Sequence, residues 1–300
     1  SDEMNYRTDL AIESKEMIDE SNKGKKIEIP GVLVDVDQYD PNVKVTRIKI
    51  DDEAGSRTMG KPIGNYITIE AKDLVDGEEE VKEATVKALT AELSKLIKFH
   101  NKLKALVIGL GNESVTPDSL GPCTVSKVKV TRHMFIITGA EADEDAGCVS
   151  ALIPGVMYST GMESAELIRS AVNITKPEVV IAVDALAARN VDRISSTIQI
   201  TDTGISPGSG TGNMRKDLTE KSLGTRVVAI GVPTVIDSKT LILDNLSGYL
   251  KEPAEAEKHI EKNGQSMIVT TTDIDQVIAD FSDVIANGIN NTLHPGIYSS

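Results

Sequence analysis

The chain reads as an α/β protein, three-layer α/β/α on a mainly parallel sheet, with a small N-terminal β subdomain. Three observations predict this. Short apolar runs, such as 104–110 and 178–183, alternate with stretches of helical periodicity. Residues 30–72 instead alternate apolar and polar positions, as half-buried antiparallel strands do. A length of 300 residues is enough for one large domain or two smaller ones with a sizeable core.

In chain order, a charged N-terminus carries one short helical pattern around Leu10-Ala11-Ile12-Glu13. Three alternating strands follow at 32–36, 43–50 and 66–70, and they predict a small β layer beside the main sheet. Glu78 to His100 is a helix, with Val86, Leu89, Leu93, Leu96 and Ile97 at helical spacing. Acidic residues crowd its first turn and lysines its last, matching the helix dipole. A strand at 104–110 follows, and Pro122 is placed to open a short helix. Met162 to Val172 is helical, and Pro177 separates it from strand 178–183. Strands at 197–200 and 226–230 and a helix from Asp273 to Asn290 complete the reading. The Pro/Gly-rich stretches 154–161 and 204–213 read as loops within the domain.

Composition narrows the function. The formal net charge is -14, which disfavours long-range attraction to nucleic acid. No stretch approaches the roughly 20 apolar residues of a membrane span. Two cysteines, Cys123 and Cys148, form neither a disulfide framework nor a zinc spacing and fit a reducing cytoplasm. With no Trp and three Phe, the core must be aliphatic.

The glycine loops admit several readings. Gly109-Leu110-Gly111-Asn112 resembles the start of a dinucleotide fingerprint, but Ser114 stands where the third glycine belongs. A strand-end turn that needs glycine is the competing reading. Gly204-Ile205-Ser206-Pro207-Gly208 matches a nucleophile elbow in letters only. The residue after the serine must donate its N–H to an oxyanion, and Pro207 has none. A glycine loop lining a cleft is the better reading. The four histidines, His100, His133, His259 and His294, are scattered and form no metal pair, with His133 the one to watch.

Two carboxylates stand out. Asp118 lies in the loop after strand 104–110, and Asp184 at the end of strand 178–183. In open α/β sheets ligands bind at the carboxyl edge of the strands. Each aspartate alone is compatible with a loop or cap role. Brought together, they make an acid/base pair able to activate water and protonate a leaving amine.

The residues that carry a family resemblance are Arg7 to Glu13, Gly109 to Pro122 (GLGNESVTPDSLGP), Val130-Thr131-Arg132-His133, VIAVDALAAR at 180–189, DTGISPGSGTGN and AIGVPTVID. With these runs the chain resembles the germination proteases of spore-forming bacteria over nearly its whole length. The resemblance implies an endopeptidase that starts the degradation of small acid-soluble spore proteins in the spore core. It implies catalytic aspartates at Asp118 and Asp184, no metal or other cofactor, and a homotetramer. It implies a fold like that of the hydrogenase maturation proteases, which share the GxGN loop. It also implies a self-processing zymogen cut between Asp9 and Leu10. The chain, carrying residues 1–9, then reads as the unprocessed form, with 1–9 the propeptide, 10–75 the N-terminal segment and β subdomain, and 76–300 the catalytic α/β domain. The acidic residue before the cut calls for a cationic pocket, with Arg132, Arg189 and Arg193 as candidates. Gly208, Gly210 and Gly212 are candidate backbone donors to the substrate. Tyr158-Ser159 departs from the smaller pair expected there, which bears on access if that loop borders the cleft. A metal-dependent maturation protease is the alternative, and it would need carboxylates plus a histidine such as His133. A nucleotide-binding module is a third reading.

Overall fold

The computed structural model describes residues 4–138, 145–206, 216–264 and 266–298. The elements run α1 (Ala11–Ser21), β1 (Val32–Asp40), β2 (Val43–Ile50), α2 (Glu53–Met59), β3 (Gly64–Glu70), α3 (Glu79–Leu96) and β4 (Lys104–Gly109). Then come α4 (Leu120–Val125), α5 (Arg132–Thr138), β5 (Cys148–Leu152), α6 (Met157–Thr160), α7 (Ser164–Thr175), β6 (Val179–Ala187) and β7 (Thr197–Thr201). The chain continues through α8 (Glu220–Leu223), β8 (Arg226–Asp237), α9 (Ser238–Leu246), α10 (Pro253–Asn263), β9 (Ile268–Val269), α11 (Ile274–Leu293) and α12 (Pro295–Tyr298).

One sheet carries all the strands, in the order β1-β2-β3-β7-β8-β6-β4-β5, with β9 pairing β8. Strands β8, β6, β4 and β5 are parallel neighbours, while β1, β2, β3, β7 and β8 pair antiparallel. The N-terminal strands therefore do not lie beside the main sheet as a separate layer. They extend it edge-on, because β3 ladders with β7 from Tyr66↔Thr201 to Glu70↔Thr197.

Side-chain alternation sorts the core into layers. Val179, Ile181 and Val183 of β6 face Leu89 and Leu93 of α3 and Phe281 and Ile285 of α11. Val180 and Ala182 face the other way, toward Ala165 and Ile168 of α7. Farther along that second face, Leu186 and Ala188 pack with Leu10, Ala11 and Ile12 at the start of α1. Helices thus cover both faces, which is why β6 reads as a continuous apolar run.

Several boundaries differ from the sequence expectation. β6 runs on to Ala187 and is buried throughout, so Asp184 sits inside the strand and not at its end. β8 extends to Asp237, seven residues beyond the expected end. Both strands are longer because each keeps pairing across Asp184↔Gly231 and Leu186↔Pro233. The stretch 154–161 holds the single helical turn α6, on which Tyr158 is fully exposed.

Candidate active site

Asp118 closes a 3₁₀ turn, Thr116–Asp118, that packs against β6 and β8. The loop before it is tied to β6, where the Leu110 N–H donates to the Val183 carbonyl at 2.9 Å. The Asn112 N–H reaches both the Asp118 carbonyl and its Oδ2, each at 3.0 Å. Thr234 Oγ1 donates to the Pro117 carbonyl at 2.6 Å and anchors the turn to β8. These bonds hold the Asp118 loop against the later halves of β6 and β8.

Two glycines permit that approach. Gly111 has φ +120, and a Cβ there would stand 2.0 Å from the Asp118 carbonyl oxygen. A Cβ on Gly121 would stand 2.2 Å from the Leu110 carbonyl oxygen and 2.6 Å from that of Val183. The GLGN run is thus a close-packed strand-end turn, the second of the two readings open at the sequence level.

Asp184 is 1% exposed, and its Oδ1 accepts from the Ala185 N–H at 2.9 Å. It lies in a row across the sheet: Asp184 on β6 pairs Gly231 on β8, which pairs Gln199 on β7. Laterally paired residues share a face, so Asp184 and Gln199 stand on the same side with the glycine between them. Leu186 leans over Gly231, whose Cβ position lies 2.4 Å from Leu186 Cδ1.

Over the Gln199 and Gly231 end of this row is a cleft of about 230 Å³, lined among others by Asp9, Lys61, Leu186, Gln199, Gly204 and Gly231, while Asp118 and Asp184 are not among its lining residues. Its lining mixes apolar side chains such as Leu186 and Ala229 with polar ones such as Gln199 and Thr201, as expected of a ligand site. Tyr66 also lines it, with burial pushing its phenol up to about 12, so the hydroxyl stays neutral and donates to the Pro62 carbonyl at 2.7 Å.

The N-terminal segment runs along one wall of this cleft, which it lines through Asp9. The Asp9 N–H donates to the Ala187 carbonyl at 2.9 Å, and the Asp9 carboxylate accepts from the Ala187 N–H at 2.7 Å. Gln199 Nε2 donates to the Asp9 carbonyl at 3.1 Å, and Leu10 is fully buried. Upstream, the Arg7 N–H donates to Thr240 Oγ1 at 3.0 Å. Downstream, Glu13 accepts from the backbone N–H groups of Arg189 and Asn190 at 2.9 and 2.8 Å.

The three arginines proposed for an acidic pocket do not line the cleft. Arg189 pairs with Asp244 and Glu20 and stacks on Tyr6, its guanidinium carbon 4.1 Å from the ring centroid. Arg193 pairs with Glu16 and Glu70. Arg132 lies on α5, which packs on the edge strand β5, and reaches the Ile174 carbonyl at 3.4 Å. Among the described residues, the cation that does line the cleft is Lys61. Burial lowers its pKa, while the charges of Asp9 and Glu13 push it back up. Gly208, Gly210 and Gly212 fall outside the described residues. Ser206, at the rim, is exposed and bonds Asp217 Oδ1 at 2.5 Å.

None of the histidines lines the cleft. His133 is exposed on α5, and His294 is buried with Nε2 on the Lys129 carbonyl at 2.9 Å. Among the described residues, no group of three or more His, Cys, Asp or Glu side chains is arranged to hold a metal ion.

The sequence profile of the germination protease family matches residues 11–262. The chain belongs to that family. A germination protease of Caldanaerobacter subterraneus subsp. tengcongensis is 40% identical over 98% of this chain and 96% of its own length. That of Clostridium tetani is 40% identical over 98% and 97%, and that of Bacillus pumilus 34% over 97% and 94%. Among solved structures, a NiFe hydrogenase maturation protease from Thermococcus kodakarensis aligns with 63% of this chain and 94% of its own, at 16% identity and a TM-score of 0.35. Membership makes the chain a protease of germination. No helix among the described residues is long and apolar enough to cross a membrane.

Proposed function

We propose that the chain is an endopeptidase that removes its own residues 1–9 by cutting between Asp9 and Leu10, and then begins the degradation of small acid-soluble spore proteins in the spore core. The observation that carries this reading is the position of the Asp9–Leu10 peptide. It runs along the wall of the cleft, its carbonyl bonded to the side chain one glycine column away from Asp184.

The chemistry assigned to the site is hydrolysis by paired carboxylates. One of Asp118 and Asp184 takes a proton from water as the water oxygen bonds to the Asp9 carbonyl carbon. The carbonyl electron pair moves onto oxygen. The other aspartate then gives its proton to the Leu10 nitrogen as the C–N bond breaks, leaving a carboxylic acid and an amine.

The acidic residue before the cut is read by the Ala187 N–H, backed by the charge of Lys61. Assembly into a homotetramer belongs to the same reading. Support for an assembly surface comes from β1, an edge strand on which Leu33, Val34 and Val36 are exposed.

The test uses a peptide with Glu-Ile-Ala at its centre. Wild type is expected to cut after Glu, and Asp118→Asn and Asp184→Asn each to lose at least about 10³-fold in kcat/KM while keeping the wild-type thermal melt. Either variant retaining more than a tenth of wild-type activity would remove that aspartate from the mechanism.

A further inference from the structure

Gln199 stands in the middle of β7 and is 6% exposed. It makes two hydrogen bonds to the N-terminal segment. Nε2 donates to the Asp9 carbonyl at 3.1 Å, and Oε1 accepts from the Ala11 N–H at 2.9 Å. A carbonyl can only accept and a backbone N–H can only donate, so both bonds hold only with the amide in this orientation. The side chain therefore grips the main chain on both sides of the Asp9–Leu10 bond and makes no contact that depends on the sequence there.

The position of Gln199 relative to Asp184 gives the grip a chemical meaning. Two strand spacings separate β7 from β6, so the two backbones lie roughly 10 Å apart with Gly231 between them. That span accommodates one extended peptide over the Leu186 floor. The Asp9 carbonyl oxygen meets a preset N–H donor from Gln199, and Asp184 stands two strands away on the same face of the sheet. Attack by water moves the carbonyl electron pair onto the oxygen that Gln199 already touches. A donor fixed where negative charge develops stabilises the transition state more than the ground state.

We infer that Gln199 is the oxyanion donor and register clamp of this protease: its amide fixes which peptide bond faces the aspartates and stabilises the oxyanion formed there. The inference rests on the reading of Asp9–Leu10 as a scissile bond.

The experiment follows the first-order rate of loss of residues 1–9 by intact mass, from mildly acidic to neutral pH, for wild type, Gln199→Met and Gln199→Glu. Methionine fills the volume without a donor. Glutamate keeps the acceptor, and it donates to the carbonyl only when protonated. Gln199→Met is expected to be about 10²–10³-fold slower than wild type at every pH, the loss seen when one oxyanion donor is removed. Gln199→Glu is expected to match that deficit near neutrality and to recover at least about tenfold, relative to wild type, as pH falls toward the carboxyl range near about 4.3. A merely structural role would give a ratio that does not change with pH.

Processing of Gln199→Met within threefold of wild type would overturn the inference and leave the scissile bond standing. A wild-type chain that never loses residues 1–9 would overturn the scissile-bond reading, and the inference with it. If the thermal melt shows that Gln199→Met is not folded, the pH ratio of Gln199→Glu decides alone, a flat ratio counting against the inference.

Discussion

At the scale of single residues, the sequence draws attention to two aspartates and says nothing of their surroundings. Asp184 interrupts an apolar run and Asp118 lies in the loop that follows one, a signal that needs no tertiary information. Gln199 carries no such signal, because a glutamine in Thr-Ile-Gln-Ile-Thr looks like the polar phase of a half-buried strand. Only the burial of every residue of β7 marks it as unusual. Arg189 and Arg193 were attractive as a cationic pocket, but a sequence does not show that Glu16, Glu20, Glu70 and Asp244 already pair with them. Lys61 has the opposite standing: it is a half-buried lysine whose pKa is lowered by desolvation. A base with a lowered folded-state pKa costs stability at neutral pH, and the cost fades as pH rises through the window between that value and the ordinary 10.5. Lys61→Met should therefore not lower the melting temperature at neutral pH. It should reduce the preference for Glu over Gln before the cut by about tenfold in kcat/KM, the size of one partly screened charge interaction. In wild type the same preference should decline with rising pH before an ordinary lysine would titrate. An unchanged preference in Lys61→Met would return recognition of the acid to the Ala187 N–H alone.

At the scale of elements, periodicity located the long helices and the alternating strands. α3 and α11 lie within a few residues of their expected positions, because each carries a long stripe of apolar residues. The extension of β6 through Asp184-Ala185-Leu186-Ala187 was not legible. Ala and Leu favour helix in isolation, and only pairing with β8 holds them extended. That extension positions the cleft, since Ala187 binds Asp9 and Leu186 floors the space over Gly231. The junction of α4 with β4 and β6 is equally demanding. In Gly121→Ala the new methyl would press on the backbone oxygens of Leu110 and Val183, which cannot move aside as a side-chain tip can. The expected cost is about 1–3 kcal/mol in urea unfolding, with peptide cleavage falling further than stability because the Asp118 loop hangs on this junction. A variant as stable and as active as wild type would show that the loop tolerates displacement.

At the scale of the whole molecule, the sheet unites what the sequence had divided. The N-terminal strands continue the sheet through β3 and β7, and β7 supplies Gln199 from the row that also holds Asp184. The segment 4–13 is held by β6, β7 and α9 through Ala187, Gln199 and Thr240, so it docks along a path set by three distant parts of the chain. A net charge of -14 gives no long-range attraction to an acidic substrate. Selection of the cut must therefore come from short-range contacts such as those made to Asp9. The most direct measurement is the intact mass of the full chain over time in mildly acidic buffer, wild type beside Asp184→Asn. The account predicts a single new species in wild type that begins at Leu10, and an unchanged mass in Asp184→Asn. An unchanged wild type, a cut at any other bond, or equal processing in both proteins would contradict it.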